Sequence, residues 1–284
     1  MLPALCERPR RRLLTPSSLP RPSSATSRSA LQVSLSVWRA LFMREALSRV
    51  SSQRFGWVWL LLQPVAHIAL LMLLFSTLRQ RTLAGADFAL FLALGLLGYQ
   101  LFTNTAQRSA SALAANRGLL AYRQVLPVDT VLVRAVVEGS LQLLVGLALL
   151  SGAALFRFDV LPHDPLLALE AYLLLWLFGS GLGLTLSVGY ALVPEIEKIM
   201  GFVFMPLYFA SGVLFSPAAM PARLQQWLLY NPIVHGLELG RAAFFPGYHL
   251  VQGLSAGYVA SFGVAFWLLG LALHRRFALQ VAAQ

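Results

Sequence analysis

His235, Glu238 and Arg241 recur at every third position, so a helix through them carries an imidazole, a carboxylate and a guanidinium on one side. Metal binding is a poor use of this set. A site needs three or four convergent ligands, and Arg241 would repel the cation. An orienting polar network, or a contact for an anionic head group, suits these side chains better. Arg134 and Glu138 stand four apart and read as an intrahelical ion pair. His67 lies in an apolar run, where an interhelical hydrogen bond is the first expectation and substrate contact the second. Glu170 falls near the end of such a run and is expected to be solvated. Lys198 is the sole lysine, so no Gly-x-x-x-x-Gly-Lys-Ser/Thr phosphate loop can be assembled and any nucleotide-driven work needs a partner. The loops on the side of the termini hold no His-Asp pair for acid-base chemistry, which argues against a transferase. Cys6 is the sole cysteine and excludes a disulfide framework or a cysteine zinc cluster.

The elements that must position these groups are membrane spans. The 284 residues are 58% apolar and 12% charged, with mean hydropathy +0.69, whereas soluble domains carry about 25% charged residues. Six stretches reach or approach the ~20 apolar residues needed to cross a bilayer: roughly 57–78, 88–106, 131–156, 166–192, 199–215 and 254–273. Six spans leave both ends on one side. With the termini inside, seventeen of the 22 basic residues are internal, against Arg79, Arg81, Arg157, Arg223 and Arg241 outside, and the positive-inside rule puts both termini in the cytoplasm. The net charge of +11 therefore follows topology and is no nucleic-acid footprint, since no aromatic platform accompanies it.

Residues 1–30 are rich in arginine, proline and serine, and read as a disordered basic tail. A targeting peptide or a start codon read too far upstream are the alternatives, and the apolar runs are too short for a secretory leader. Over 31–50, Leu31, Leu35, Trp38, Phe42 and Ala46 share a face, which predicts an amphipathic interface helix. Arg49 falls toward the apolar side, so its stem must snorkel or the helix must end near it. Between spans, 107–130 predicts a short helix around Ala112 to Arg123, then Pro127 as a stop and Asp129 as the N-cap of the third span. Residues 216–253, with Pro217, Pro221, Pro232 and Pro246 among aromatic residues, predict short re-entrant or gate helices on the external side. Gly179, Gly181 and Gly183 with Ser180 and Ser187 make one flank of the fourth span small, for ordinary packing.

Five segments, in this order, carry a family resemblance: Phe55-Gly-Trp-Val-Trp59 with Gln63, Pro64 and His67; Asn116 to Leu120 with Gln124 to Asp129; Met205 to Val213; Tyr230 to Arg241; and Phe244 to Tyr248. Together they resemble the permease of type-2 ABC exporters of capsular polysaccharide and O-antigen, over about residues 35 to 275. The resemblance implies an all-α fold of six transmembrane helices after an interface helix, with residues 31–284 as the transmembrane domain. It implies a homodimer in the bacterial inner membrane, working with a separate ABC ATPase that binds ATP and Mg, and a lipid-linked polysaccharide as cargo. This chain itself would hold no cofactor. A periplasmic adaptor and an outer-membrane channel are further partners that the resemblance leaves open.

On that resemblance Arg44, Asn116, Leu119, Leu120, Val125 and Glu197 would couple to the ATPase. For the charged turn Glu195-Ile-Glu-Lys198 a salt-bridged turn is the other reading. Sugar chains stack on aromatic faces, which nominates Tyr99, Phe102, Trp176, Tyr190, Tyr208 and Phe209 for the channel. Trp227, Tyr230, His235, Glu238 and Arg241 would form the external gate. The alternative is a drug or small-lipid efflux permease of the same superfamily.

Overall fold

A computed structural model describes residues 30–51, 56–76, 82–83, 86–120 and 125–282. The basic tail expected before the first helix lies outside the described residues, as do Arg54, Phe55, Arg79, Arg81, Arg123 and Gln124. Helix α1 (Ala30–Ser51) is followed by α2 (Gly56–Ser76), then by two-residue strands β1 (Thr82–Leu83) and β2 (Ala86–Asp87), paired antiparallel with Thr82 opposite Asp87. Helix α3 (Phe88–Ala110) leads into two single turns, α4 (Ala112–Ala115) and α5 (Arg117–Leu120), where one short helix was expected. Helices α6 (Pro127–Leu155), α7 (Pro165–Leu192) and α8 (Glu195–Ala210) come next. A 3-10 turn at Pro217–Ala219 and the helices α9 (Ala222–Leu228) and α10 (Pro232–Phe244) precede α11 (Ala256–Arg276) and α12 (Ala278–Ala282).

Among the described residues four helices are long and apolar enough to cross a membrane: α3, α6, α7 and α11. Helix α2 has 21 residues, of which the described apolar stretch is Val58–Leu74, and α8 has 16 residues. The helix in the place of the fifth expected span, 199–215, begins at Glu195, where Glu195 and Glu197 suit the positive end of the helix dipole, and ends at Ala210. It stops there because Gly212 turns left-handed, with φ 70.

Helix starts follow local chemistry. Asp87 accepts hydrogen bonds from the N–H groups of Ala89 and Leu90 (2.9 and 3.3 Å), and Asp164 caps α7 through Leu166 and Leu167 (3.1 and 3.0 Å), with Pro165 in the first turn. Asp129 departs from its expected role. Helix α6 already starts at Pro127, and the Asp129 carboxylate, inside the first turn, reaches back to the Leu126 N–H at 3.4 Å.

Helix α3 lies at the centre. Phe91, Leu92, Leu94, Leu96 and Phe102 are all but inaccessible, and the first half of the helix, Phe88 to Gly98, is apolar all round, as befits a buried element. Its partner α7 approaches closely on glycine, but the small residues serve two faces and not one flank. A methyl group on Gly179 or Gly183 would strike α3, at the Phe102 and Ala106 carbonyl oxygens (2.5 and 2.8 Å), whereas one on Gly181 would strike α11, at Trp267 Cδ1 (2.7 Å). The hundred-degree step per residue turns position 181 away from 179 and 183.

Candidate functional site

On the side carrying α9 and α10, Asn231 accepts the Ile233 N–H at 3.0 Å and starts α10, with Pro232 first in the helix. The helix turns Glu238 and Arg241 fully inward. Arg241 donates from Nη1 to Glu238 Oε1 (2.9 Å) and the Gly212 carbonyl (2.8 Å), and from Nη2 to the Val213 carbonyl (2.8 Å). Its guanidinium lies 3.6 Å from the centroid of Phe91, a cation–π contact. The Tyr248 hydroxyl sits 3.1 Å from both Glu238 oxygens and from Ser216 Oγ. Burial pushes the Glu238 carboxyl up, and the Arg241 charge and the hydrogen bonds from Arg241 and Tyr248 oppose it.

His235 does not join this network. Its Nδ1 accepts the Ser255 N–H at 3.0 Å, which leaves Nε2–H to donate to the Leu229 carbonyl at 2.8 Å. The ring ties the end of α9 to the start of α11 and lies against Tyr258, centroids 4.8 Å apart. The expected three-residue face is therefore two residues in a network and one in a strut. Being buried, neither pole of the Glu238–Arg241 pair can meet an anionic head group from outside. Trp227 and Tyr230 are exposed, with ring centroids 6.2 Å apart.

At the other end, α1 docks on α6. Leu41 packs with Val133 and Val137, and Val37, Phe42, Ala46, Leu119, Val125 and Leu141 surround them. Arg134 and Glu138 do not pair with each other as their spacing suggested. Arg134 Nε donates to Glu45 Oε1 at 2.6 Å, Glu138 pairs with Arg49, and Arg108 Nε lies 3.5 Å from the other Glu138 oxygen. The four side chains of the two α1–α6 pairs are 8 to 17% exposed, so their partners were on another helix, invisible to a spacing rule. Burial first, then the charges of Arg108 and Arg134, lower the Arg49 guanidinium to about 10, against Glu45. The anomaly of Arg49 on the apolar side of α1 is thereby explained: that side meets a carboxylate. The packed face runs through Leu41, Glu45 and Arg49 with the expected Phe42 and Ala46 beside them, while Leu35, also expected on it, is 74% exposed.

The coupling candidates separate into two groups. Arg44 donates to Asn116 Oδ1, and the Asn116 amide donates to the Ala112 carbonyl at 2.8 Å; with Leu119 and Val125 they lie at the foot of α1. Trp38 Nε1 donates to Asp129 Oδ1 at 3.0 Å beside them. Leu120 and Glu197 instead border a cavity of about 140 Å³ with Arg117 and Tyr190. Glu195, Glu197 and Lys198 are exposed and form no ion pair among the described residues, so the salt-bridged turn is absent there.

Of the channel candidates, Phe102 and Tyr99 are core. Phe102 stacks on Phe178, centroids 4.8 Å apart, and the Tyr99 hydroxyl donates to the Phe204 carbonyl at 2.5 Å. Neither lines an open path in this single chain. Trp176 donates to the Ala135 carbonyl at 2.9 Å and borders an apolar groove of about 610 Å³ between α3, α6 and α7. Tyr208 is half-buried, 3.3 Å from His67 Nε2, which gives His67 its interhelical partner. Phe209 is half exposed.

The sequence pattern of the ABC-2 type transporter family matches residues 36–245. The chain is 35% identical to polysialic acid transport protein KpsM of Escherichia coli over 251 residues, 88% of this chain and 96% of that protein. It is 29% identical to capsule polysaccharide export inner-membrane protein CtrC of Neisseria meningitidis, covering 86% of this chain and 92% of the relative. A third relative, capsule polysaccharide export inner-membrane protein BexB of Haemophilus influenzae, is 27% identical over 91% of this chain and 97% of its own. With a family match across most of its length and four helices apolar enough to cross a bilayer, this multi-pass membrane protein belongs to the ABC-2 type transporter family.

Proposed function

We propose that this chain is the permease subunit of an ATP-driven exporter that moves a lipid-linked polysaccharide, of capsule or O-antigen type, across the bacterial inner membrane. The observation that carries the reading is near-full-length likeness to proteins whose names specify transport of polysialic acid and export of capsule polysaccharide. With one lysine and no phosphate loop, the chain depends on a separate ABC ATPase that binds ATP and Mg. Both termini face the cytoplasm by the distribution of arginine, and α2 and α8 complete six spans, with α1 alongside the cytoplasmic end of α6. The chain acts as a homodimer, a reading supported by the apolar side of α8, where Phe202 and Met205 are exposed. Arg44, Asn116, Leu119, Leu120, Val125 and Glu197 serve the ATPase side, and Trp227 and Tyr230 the external gate. A periplasmic adaptor and an outer-membrane channel would carry the polymer onward.

The test is deletion of the gene in its own host, with surface polysaccharide stained on intact cells and total polysaccharide after lysis. Polymer trapped inside and missing from the surface is expected. Normal surface polymer would move the assignment to small-molecule or lipid efflux. Among single residues, Phe209→Ala should slow export several-fold while basal ATP hydrolysis of the complex stays unchanged, because the ring contributes a stacking face and little packing. Unaltered surface polymer in that variant would mean that Phe209 faces lipid or packs against a neighbouring helix instead.

A further inference from the structure

The geometry points to a register lock between α1 and α6, built from Glu45, Arg49, Arg134 and Glu138 as positioning residues. It rests on the export reading for its purpose, but not for its existence. The two helices run parallel here: Trp38 meets Asp129, Glu45 meets Arg134 and Arg49 meets Glu138, so the partner number rises along both chains. Along α1 the charge order is minus then plus at a spacing of one turn, and along α6 it is plus then minus. Each charge therefore has an opposite neighbour across the interface as well as along its own helix. A slide of α1 by about one turn, ~5.4 Å, in one direction would set Arg49 against Arg134, and in the other Glu45 against Glu138. Like charges meet in either case, at a largely buried site where water screens them poorly.

The apolar contacts of Leu41 with Val133 and Val137 would not by themselves forbid that slide, because one apolar residue replaces another with little loss. Buried ionic groups are well suited to such registry. The lock makes α1 and the inner half of α6 a single body, so a push on Arg44, Asn116 or the foot of α1 tilts α6 and is not dissipated by sliding. Arg108 of α3, 3.5 Å from Glu138, adds a third helix to this body.

The test separates attraction from registry. In a Cys6→Ser background, with Arg108→Gln throughout to remove its contact with position 138, spin labels go on exposed Met43 and Leu143 of the full chain in lipid nanodiscs. The pair Glu45→Arg and Arg134→Glu keeps both contacts attractive, yet makes the α1 side wholly positive and the α6 side wholly negative, so a slide meets no like charge. Adding Arg49→Glu and Glu138→Arg restores the alternation with every sign inverted. The first variant should show a second distance population displaced by about one turn, and the second a single population like the parent. In cells, the first should export about five-fold less or worse, and the second should recover. A single undisplaced population in the first variant overturns the lock, as does a displaced one in the second. Should the first variant not accumulate, Glu45→Leu and Arg49→Met with Arg134→Met and Glu138→Leu keep a packed interface with neither pair left, and a parent-like distance and export would overturn the lock equally. Absence of polysaccharide export by the parent itself would instead sink the functional reading and leave the distance result standing.

Discussion

Replacing Arg241 with methionine should cost about 3–5 kcal/mol of stability, the usual consequence of leaving one member of a buried ion pair without its partner. Three losses coincide. The Glu238 carboxylate keeps only Tyr248, the Gly212 and Val213 carbonyls lose their side-chain donor, and the Phe91 face loses its cation. Adding Glu238→Gln removes the stranded charge, and the double variant should recover a substantial part of the deficit. Thermal unfolding of the detergent-solubilised chain, with membrane abundance as a second measure, checks both. A single variant that melts with the parent would mean that the network is replaceable by packing, and that the role assigned to it here is wrong.

The second large effect belongs to the seam between α3 and α7. Gly179→Ala places a methyl 2.5 Å from the Phe102 carbonyl oxygen, and Gly183→Ala places one 2.7 Å from Ser109 Cβ and 2.8 Å from the Ala106 carbonyl oxygen. Backbone oxygens inside a helix cannot swing aside, so the helices must part, at about 1–3 kcal/mol for each substitution. Gly201→Ala is the control, because no atom lies within 4 Å of the added group; it should leave melting unchanged or raise it slightly, alanine being the better helix former. Equal melting of the Gly179 and Gly201 variants would refute the close approach. Export should fall with the Gly179 variant in proportion to its loss from the membrane.

These same residues show what a sequence can disclose. Glu238 and Arg241 were legible as partners because three residues is a helical contact distance and both occur in a proline-bounded segment. Arg134 and Glu138 satisfied the same rule and misled, since each had a better-placed partner on α1 that no local spacing reveals. A trace was present all the same: Arg49 on the apolar side of its helix demanded a counter-charge, and Glu45 one turn earlier carried the complementary demand. The glycines of α7 were legible as small, but their assignment to one flank ignored the helical step that turns Gly181 toward α11. Asp129 has the chemistry of an N-cap, and Pro127 pre-empted it by starting the helix three residues sooner. Burial of Tyr99 and Phe102 depended on α3 being central, a matter of packing order among several apolar helices of similar composition, which periodicity does not rank.

The attachment of Arg241 to the carbonyls of Gly212 and Val213 also sets an order of events during synthesis. The turn that ends α8 is held by a side chain 29 residues farther along the chain. At ~5–20 residues added per second, a growing polypeptide waits roughly 1.5–6 s between making that turn and making its clasp. Through that interval two carbonyl groups at the end of a helix lack their final donor, in an environment where water is scarce. Helix α8 thus acquires its settled C-terminal end only after α10 has been translated, and the network around Glu238 closes later still, once Tyr248 has followed.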